Sequence, residues 1–196
     1  MPSPTLTYGH AQNVGLDGHI LNQANDLLQA EINAGNITAA ALLVARHGNI
    51  VTHQGFGQLS PQKGSPQTQP DSIFLLASIT KPVTACAFML LVERGMISLN
   101  DPVSLYLPEF KGEDRQKVLV RHLLSHTSGL PDMLPENLEL RRANVPLSTF
   151  VDRACQTPLL YPPNTSFAYQ SKGILLAAEI IERISKQRLR DFEENE

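Results

Sequence analysis

The sequence predicts an α+β fold, with an N-terminal helix and β-hairpin followed by a mainly helical region. Three observations lead there. Residues 17–34 repeat apolar side chains at helical spacing, residues 40–56 read as two short strands about a tight turn, and after residue 72 the apolar pattern is helical. In the first helix Ile20, Ala24, Leu27, Leu28 and Ile32 form one stripe with Glu31, and Gly35 ends it. The hairpin runs from Ala40 to Arg46, turns at His47-Gly48-Asn49 and returns from Ile50 to Phe56. Gly, Pro, Gln and Ser crowd residues 57–72, which are expected to form a loop.

The helical part opens with the long apolar run from Pro82 to Val92, closed by Arg94-Gly95. Leu99 to Pro102 reads as a helical turn capped by Asn100 or Asp101, and Val118 to Ser125 as a short helix. Three prolines make residues 131–146 an exposed excursion. Further helices are expected over Leu147–Cys155 and Ser171–Ser185, the latter burying Ile174, Ala177, Ala178, Ile181 and Ile184. Arg183, Lys186, Arg188 and Arg190 gather at its end, where the helix dipole favours cations. The acidic run Asp191, Glu193, Glu194, Glu196 reads as a solvated end.

Composition bounds the function. The chain has 196 residues, 42% of them hydrophobic and 18% charged, which suits a soluble globular domain. A net charge of −3, no tryptophan and 6% aromatics argue against a nucleic-acid partner. No apolar run reaches the roughly 20 residues that a membrane span requires. Met1-Pro2-Ser3-Pro4 shows no secretory signal, and a cytoplasmic location is the simplest expectation. Cys86 lies within the apolar run and is expected to be buried, and the spacing of Cys86 and Cys155 supports no disulfide framework.

The residues with chemical potential begin at Ser78-Ile79-Thr80-Lys81. Positions i and i+3 share a helix face, so a lysine there reaches a serine hydroxyl. Pro82 places the helix start close to Ser78, because proline is tolerated only near a first turn. A lysine titrates near ~10.4 in water, but desolvation and the positive end of a helix dipole both favour the neutral amine. A neutral Lys81 can take the serine proton as the hydroxyl attacks a carbonyl. A second S-x-x-K match, Ser60-Pro61-Gln62-Lys63, lies in the polar loop without a helix to align it.

Tyr169 stands at a second loop-to-helix junction, after Tyr161-Pro162-Pro163-Asn164-Thr165. A phenol beside an ammonium has a lowered pKa and can act as a general base. Ser171, two residues on, is expected to hold the lysine by a hydrogen bond. His122 and His126 have the i, i+4 spacing of zinc ligands, but the intervening glutamate and a third ligand cluster are missing, so a structural role is the stronger reading.

Taken in order, these pieces resemble the serine β-lactamase and penicillin-binding-protein superfamily. The similarity is strongest to its β-lactamase-related branch of class C β-lactamases, D-alanyl-D-alanine carboxypeptidases and serine esterases. The resemblance rests on the hairpin, Ser78-Ile79-Thr80-Lys81, Gly95 to Pro102, Val120 to Pro131 and Phe167-Ala168-Tyr169. It implies a β-lactamase/transpeptidase-like fold for a partial domain over 1–196, with 17–60 in the α/β part and 73–196 in the helical part. It implies that Ser78 is the acylated nucleophile, Lys81 its proton acceptor or electrostatic partner, Tyr169 the companion base and Ser171 a substrate contact. The segment from His122 to Gly129 shapes a loop beside the site.

The same resemblance implies a small ester, amide or β-lactam substrate and no metal or organic cofactor. The chain departs from the family pattern at Tyr169-Gln170-Ser171, where relatives usually carry Tyr-x-Asn, and at Lys186, where they often carry a helix-ending glycine. A third element, a Lys/His-x-Gly-type strand far downstream that helps form the oxyanion hole, has no counterpart after Tyr169. Ser171-Lys172-Gly173 matches as a string but adjoins Tyr169 at a helix start. The resemblance therefore covers the N-terminal half of such an enzyme, with the C-terminal strands of the sheet missing and a place for a complementing C-terminal half. The leading expectation is a serine acyl hydrolase. The rivals are a non-catalytic, acyl-binding remnant of the same fold and a helical interaction protein without acyl chemistry.

Overall fold

The computed structural model describes residues 5–196, which divide into two compact units, one ending at Leu75 and one spanning Leu76–Glu196. In the first, a two-residue strand β1 (Thr7–Tyr8) is followed by helix α1 (Gly18–Asn33) and the hairpin β2 (Ala39–Arg46) and β3 (Asn49–Gly57). Asp17 caps α1 by accepting a bond from the His19 amide at 2.8 Å. The hairpin turn is tighter than the sequence suggests. His47 and Gly48 both take positive φ, the geometry whose twist matches two antiparallel strands, and Asn49 already pairs with Arg46.

The sheet order is β1-β3-β2, with β1 parallel to β3. This corrects the expectation of two strands alone. Two residues are too few to show a period of two, so β1 is held by its partners: the Thr7 amide donates to the Gly48 carbonyl and the Gly9 amide to that of Ile50, both at 3.0 Å. The Ser60 motif lies in the following loop, where the Ser60 hydroxyl accepts from the Gln62 amide at 3.3 Å and serves the turn.

The second unit contains α2 (Thr80–Glu93), α3 (Val120–Leu124), α4 (Asn137–Arg142), α5 (Leu147–Gln156), α6 (Lys172–Ser185) and α7 (Leu189–Asn195). Helix α6 is its axis and packs against α2, α3, α5 and α7. Leu176, Ala177, Ile180 and Ile181 of α6 are wholly buried among Phe88, Leu91, Leu123, Val151 and Phe192. The expected face is rotated. Leu176 and Ile180 replace Ile174, Ala178 and Ile184, which are only half-buried, because neighbours on several sides widen the buried stripe.

Four further expectations are corrected. Helix α2 buries Thr84, Ala87, Phe88 and Leu91, but leaves Val83, Cys86 and Met89 exposed, so Cys86 is a surface thiol. No helical turn forms at Leu99–Pro102; the Asp101 carboxylate instead accepts the Ser98 amide at 2.9 Å, and a short 3-10 turn follows at Val103–Leu105. The excursion at 131–146 contains α4 and buries Leu134. The acidic end forms α7, whose Phe192 enters the core while Glu196 pairs with Arg94. Lys186 ends α6 with φ of 60°, the left-handed conformation for which glycine is usual. No helix among the described residues is long and apolar enough to cross a membrane.

Candidate active site

The site is built on the entry to α2. Ala77–Ile79 form a 3-10 turn that runs directly into the helix. Ala77 takes φ of 48°, an uncommon conformation for a residue with a Cβ. Strain of this kind persists where surrounding structure enforces it, and it sits here beside Ser78. Lys81 Nζ lies 3.0 Å from Ser78 Oγ, with the amine donating. A neutral amine accepting the serine proton would use the same separation.

The surroundings are wetter than the sequence suggests. Ser78 is exposed and Lys81 half-buried, because the outward face of α2 carries Val83 and Met89 into solvent. Burial by the helix therefore does not dry this pair, contrary to expectation.

Tyr169 comes from the loop before α6, and its ring centroid lies 4.9 Å from Lys81 Nζ. Hydrogen bonding from Lys81, and then from Ser78, holds the phenol below its ordinary value. Tyr169 is 48% exposed, so the loop and not the core must position it.

His126 does that positioning. Its carbonyl accepts the Ala168 amide at 3.1 Å and its Nδ1 accepts the Gln170 amide at 3.3 Å, so both neighbours of Tyr169 are tied to one residue. Its ring lies 4.8 Å from that of Tyr169. Burial holds the His126 imidazole below its usual pKa, which keeps Nδ1 available as an acceptor. His126 has φ of 59°, and the chain then turns again at Gly129 with φ of 85°. A Cβ on Gly129 would stand 2.2 Å from the Tyr161 carbonyl oxygen, so only glycine lets these two backbones meet. His122 is spent on local structure: its Nδ1 accepts the Leu119 amide at 3.1 Å at the start of α3. Among the described residues no group of three or more His, Cys, Asp or Glu is placed to hold a metal ion.

Ser171 is near Tyr169, but its hydroxyl makes no hydrogen bond to Lys81 among the described residues. Its amide donates instead to Asp132 at 2.7 Å. Sequence reasoning missed Asp132 and Gln170. Gln170 is wholly buried; its amide group donates to Ser128 Oγ at 3.2 Å, and its carbonyl oxygen takes the Gly173 amide in the first turn of α6. A polar residue three positions before a helical amide is the available signal, and it is a weak one without the contact.

The β-lactamase family model matches residues 24–196. Penicillin-binding protein 4* of Bacillus subtilis (strain 168) is 36% identical over 156 residues, covering 77% of this chain and 34% of that protein. Esterase EstB of Burkholderia gladioli is 33% identical over 168 residues, covering 78% of this chain and 42% of that protein. The solved structure of EstCE1, described as a hydrolase with promiscuous acyltransferase activity, superposes with a TM-score of 0.78 at 25% identity, over 89% of this chain and 49% of its own. The chain belongs to the β-lactamase family. It spans between a third and a half of the length of these relatives.

Proposed function

We propose that the protein is a serine acyl hydrolase acting through an acyl-Ser78 intermediate. The observation that carries this reading is the 3.0 Å contact between Lys81 Nζ and Ser78 Oγ, with the Tyr169 ring 4.9 Å from the same nitrogen. Ser78 Oγ attacks an ester, amide or lactam carbonyl, and its proton passes to Lys81 or, through it, to Tyr169. The protonated partner then gives that proton to the leaving group, and water attacking the acyl-serine regenerates Ser78. Ser171, half-buried on the Tyr169 loop, is the expected substrate contact. The names of the two curated relatives, an esterase and a penicillin-binding protein, support small esters and lactams as the substrates to try first.

The test is covalent labelling of the soluble protein with a fluorophosphonate and with a fluorescent penicillin, the adduct being located by mass spectrometry. A single adduct on Ser78, absent in Ser78→Ala, is expected. Tyr169→Phe should slow labelling by about 10²–10⁴-fold, the usual contribution of a positioned base. In the parent protein the rate should climb with pH as the lowered phenol deprotonates, and that limb should vanish in Tyr169→Phe. A folded protein that takes no adduct, or takes it elsewhere, overturns the reading. An adduct on Ser78 without hydrolysis of a p-nitrophenyl ester or of the penicillin favours an acyl-binding relative without turnover, a reading that the open setting of Ser78 supports.

A further inference from the structure

A cavity of about 500 Å³ opens in the helical unit between α4, α5 and the first turn of α6. Its volume is in the range of small-molecule sites. Leu134, Val145, Leu147, Phe150 and Leu175 give it a largely apolar lining. Lys172 also lines it and is only 3% exposed. An amine buried this deeply usually has a carboxylate against it. Lys172 forms no salt bridge among the described residues, and its hydrogen bond is a long one, 3.4 Å to the Thr157 hydroxyl.

The surrounding charges sharpen the point. Arg141, the second cation on the wall, also has no carboxylate partner among the described residues, and its Nε meets only Asn137 Oδ1 at 3.4 Å. The two nearby acids favour the charged amine from beyond salt-bridge distance, and each has a partner of its own. Asp132 accepts the Ser171 amide at 2.7 Å, and Glu136 lies 3.8 Å from Arg153. The cavity therefore combines an apolar interior with two cations and a single, already engaged carboxylate.

The geometry points to a binding site for an amphiphilic monocarboxylate, its hydrocarbon body against the leucines, Val145 and Phe150 and its carboxylate received by the Lys172 amine. Three N–H donors on Lys172, one of them weakly used, match a carboxylate that brings its own charge into an apolar setting. Burial lowers the pKa of the empty-site amine, and an incoming carboxylate restores its charge. Ser78, Lys81 and Tyr169 do not line the cavity, although Ser171 of the Tyr169 loop does, and the Ser78→Ala arm below separates this site from the acyl-transfer reading.

Calorimetric titration of the whole protein with decanoate and with decanol tests it. Decanoate should bind the parent about tenfold more tightly than decanol, the difference one charge-assisted hydrogen bond makes. Lys172→Met should erase that preference while still binding decanol. Leu147→Trp, a substitution at an exposed rim position that leaves the core intact, should weaken both ligands. Ser78→Ala should change neither. Equal binding of the two ligands by the parent, no binding of either, or unaltered binding in Leu147→Trp overturns the assignment. Loss of decanoate binding in Ser78→Ala also overturns it, since the carboxylate would then sit at the serine. Matched far-UV circular dichroism identifies misfolded variants, and were Lys172→Met among them, the decanoate preference and Leu147→Trp would still decide.

Discussion

The two units differ in what they bury. In the helical unit α6 is enclosed by its neighbours, and every member of the large buried apolar cluster belongs to this unit. In the N-terminal unit Val14 and Phe56 are the buried apolar side chains among the described residues, α1 buries none, and Leu27 is 63% exposed. Both have the hydrogen-bonded backbone of regular structure. The difference shows that backbone pairing and a sequence pattern suffice to define an element, whereas a core requires apolar faces on several sides of it. The candidate site residues Ser78, Lys81 and Tyr169 all belong to the unit with the core, Ser78 and Lys81 at the entry to α2 and Tyr169 on the loop that leads into α6, even though they are themselves exposed or half-buried.

The sharpest way to break this contrast is a matched pair of truncations. Leu176→Ala should destabilise the protein by about 2–5 kcal/mol, since the site is enclosed and a cavity remains. Leu27→Ala should cost less than about 0.5 kcal/mol, as for an exposed side chain. Urea denaturation measures both, and equal losses would end the distinction.

Next in size is Gly129→Ala. The left-handed φ and the clash with the Tyr161 carbonyl should cost about 1–3 kcal/mol. The same substitution should slow Ser78 labelling, because Gly129 lies on the loop through which His126 positions Tyr169.

The Glu109–Arg183 pair tests electrostatics at the edge of the core. Arg183 Nη1 donates to Glu109 Oε2 at 3.1 Å, Nη2 donates to Oε1, and Nε donates to Glu179 at 2.8 Å. The Arg183 hydrogen bonds hold the Glu109 carboxyl below its ordinary 4.5. A depressed folded-state pKa adds stability above the unfolded value, and that stability is lost as pH falls through the folded one. Glu109→Gln should therefore cost about 1 kcal/mol at neutral pH, with the gap to the parent closing below about pH 4. Stability measured at several pH values checks the sign.

The smallest effect is expected at the end of α6. Lys186→Gly should stabilise by several tenths of a kcal/mol up to about 1, because glycine adopts φ of 60° without steric cost. Thermal unfolding detects it, and a loss of stability would mean that the Lys186 side chain contributes more than its backbone strain costs.

Much of the site was legible from local chemistry. The spacing of Ser78 and Lys81 on one turn and the proline just after them place those two groups without any knowledge of packing, since helix geometry fixes i, i+3 neighbours, whereas Tyr169, far along the chain, was expected beside them from the family resemblance. What held Tyr169 was less legible. His126 and Asp132 lie 43 and 37 positions before it, as the numbering shows, and backbone amides donate to such partners without marking the sequence. The helices showed themselves where one face is apolar, and α4 and α7 escaped because α4, set among prolines, buries no side chain and α7, rich in charge, buries Phe192 alone.

By itself, then, the sequence determined the element types along most of the chain, the pairing of a hydroxyl with an amine and the α+β class, because periodicity and i, i+3 contact are local. Tertiary structure alone decided that β1 joins the sheet, that Cys86 and Ser78 face solvent and that Lys172 is buried beside a cavity. Those outcomes depend on which faces distant segments cover, and a residue's own neighbours in the chain carry no record of that.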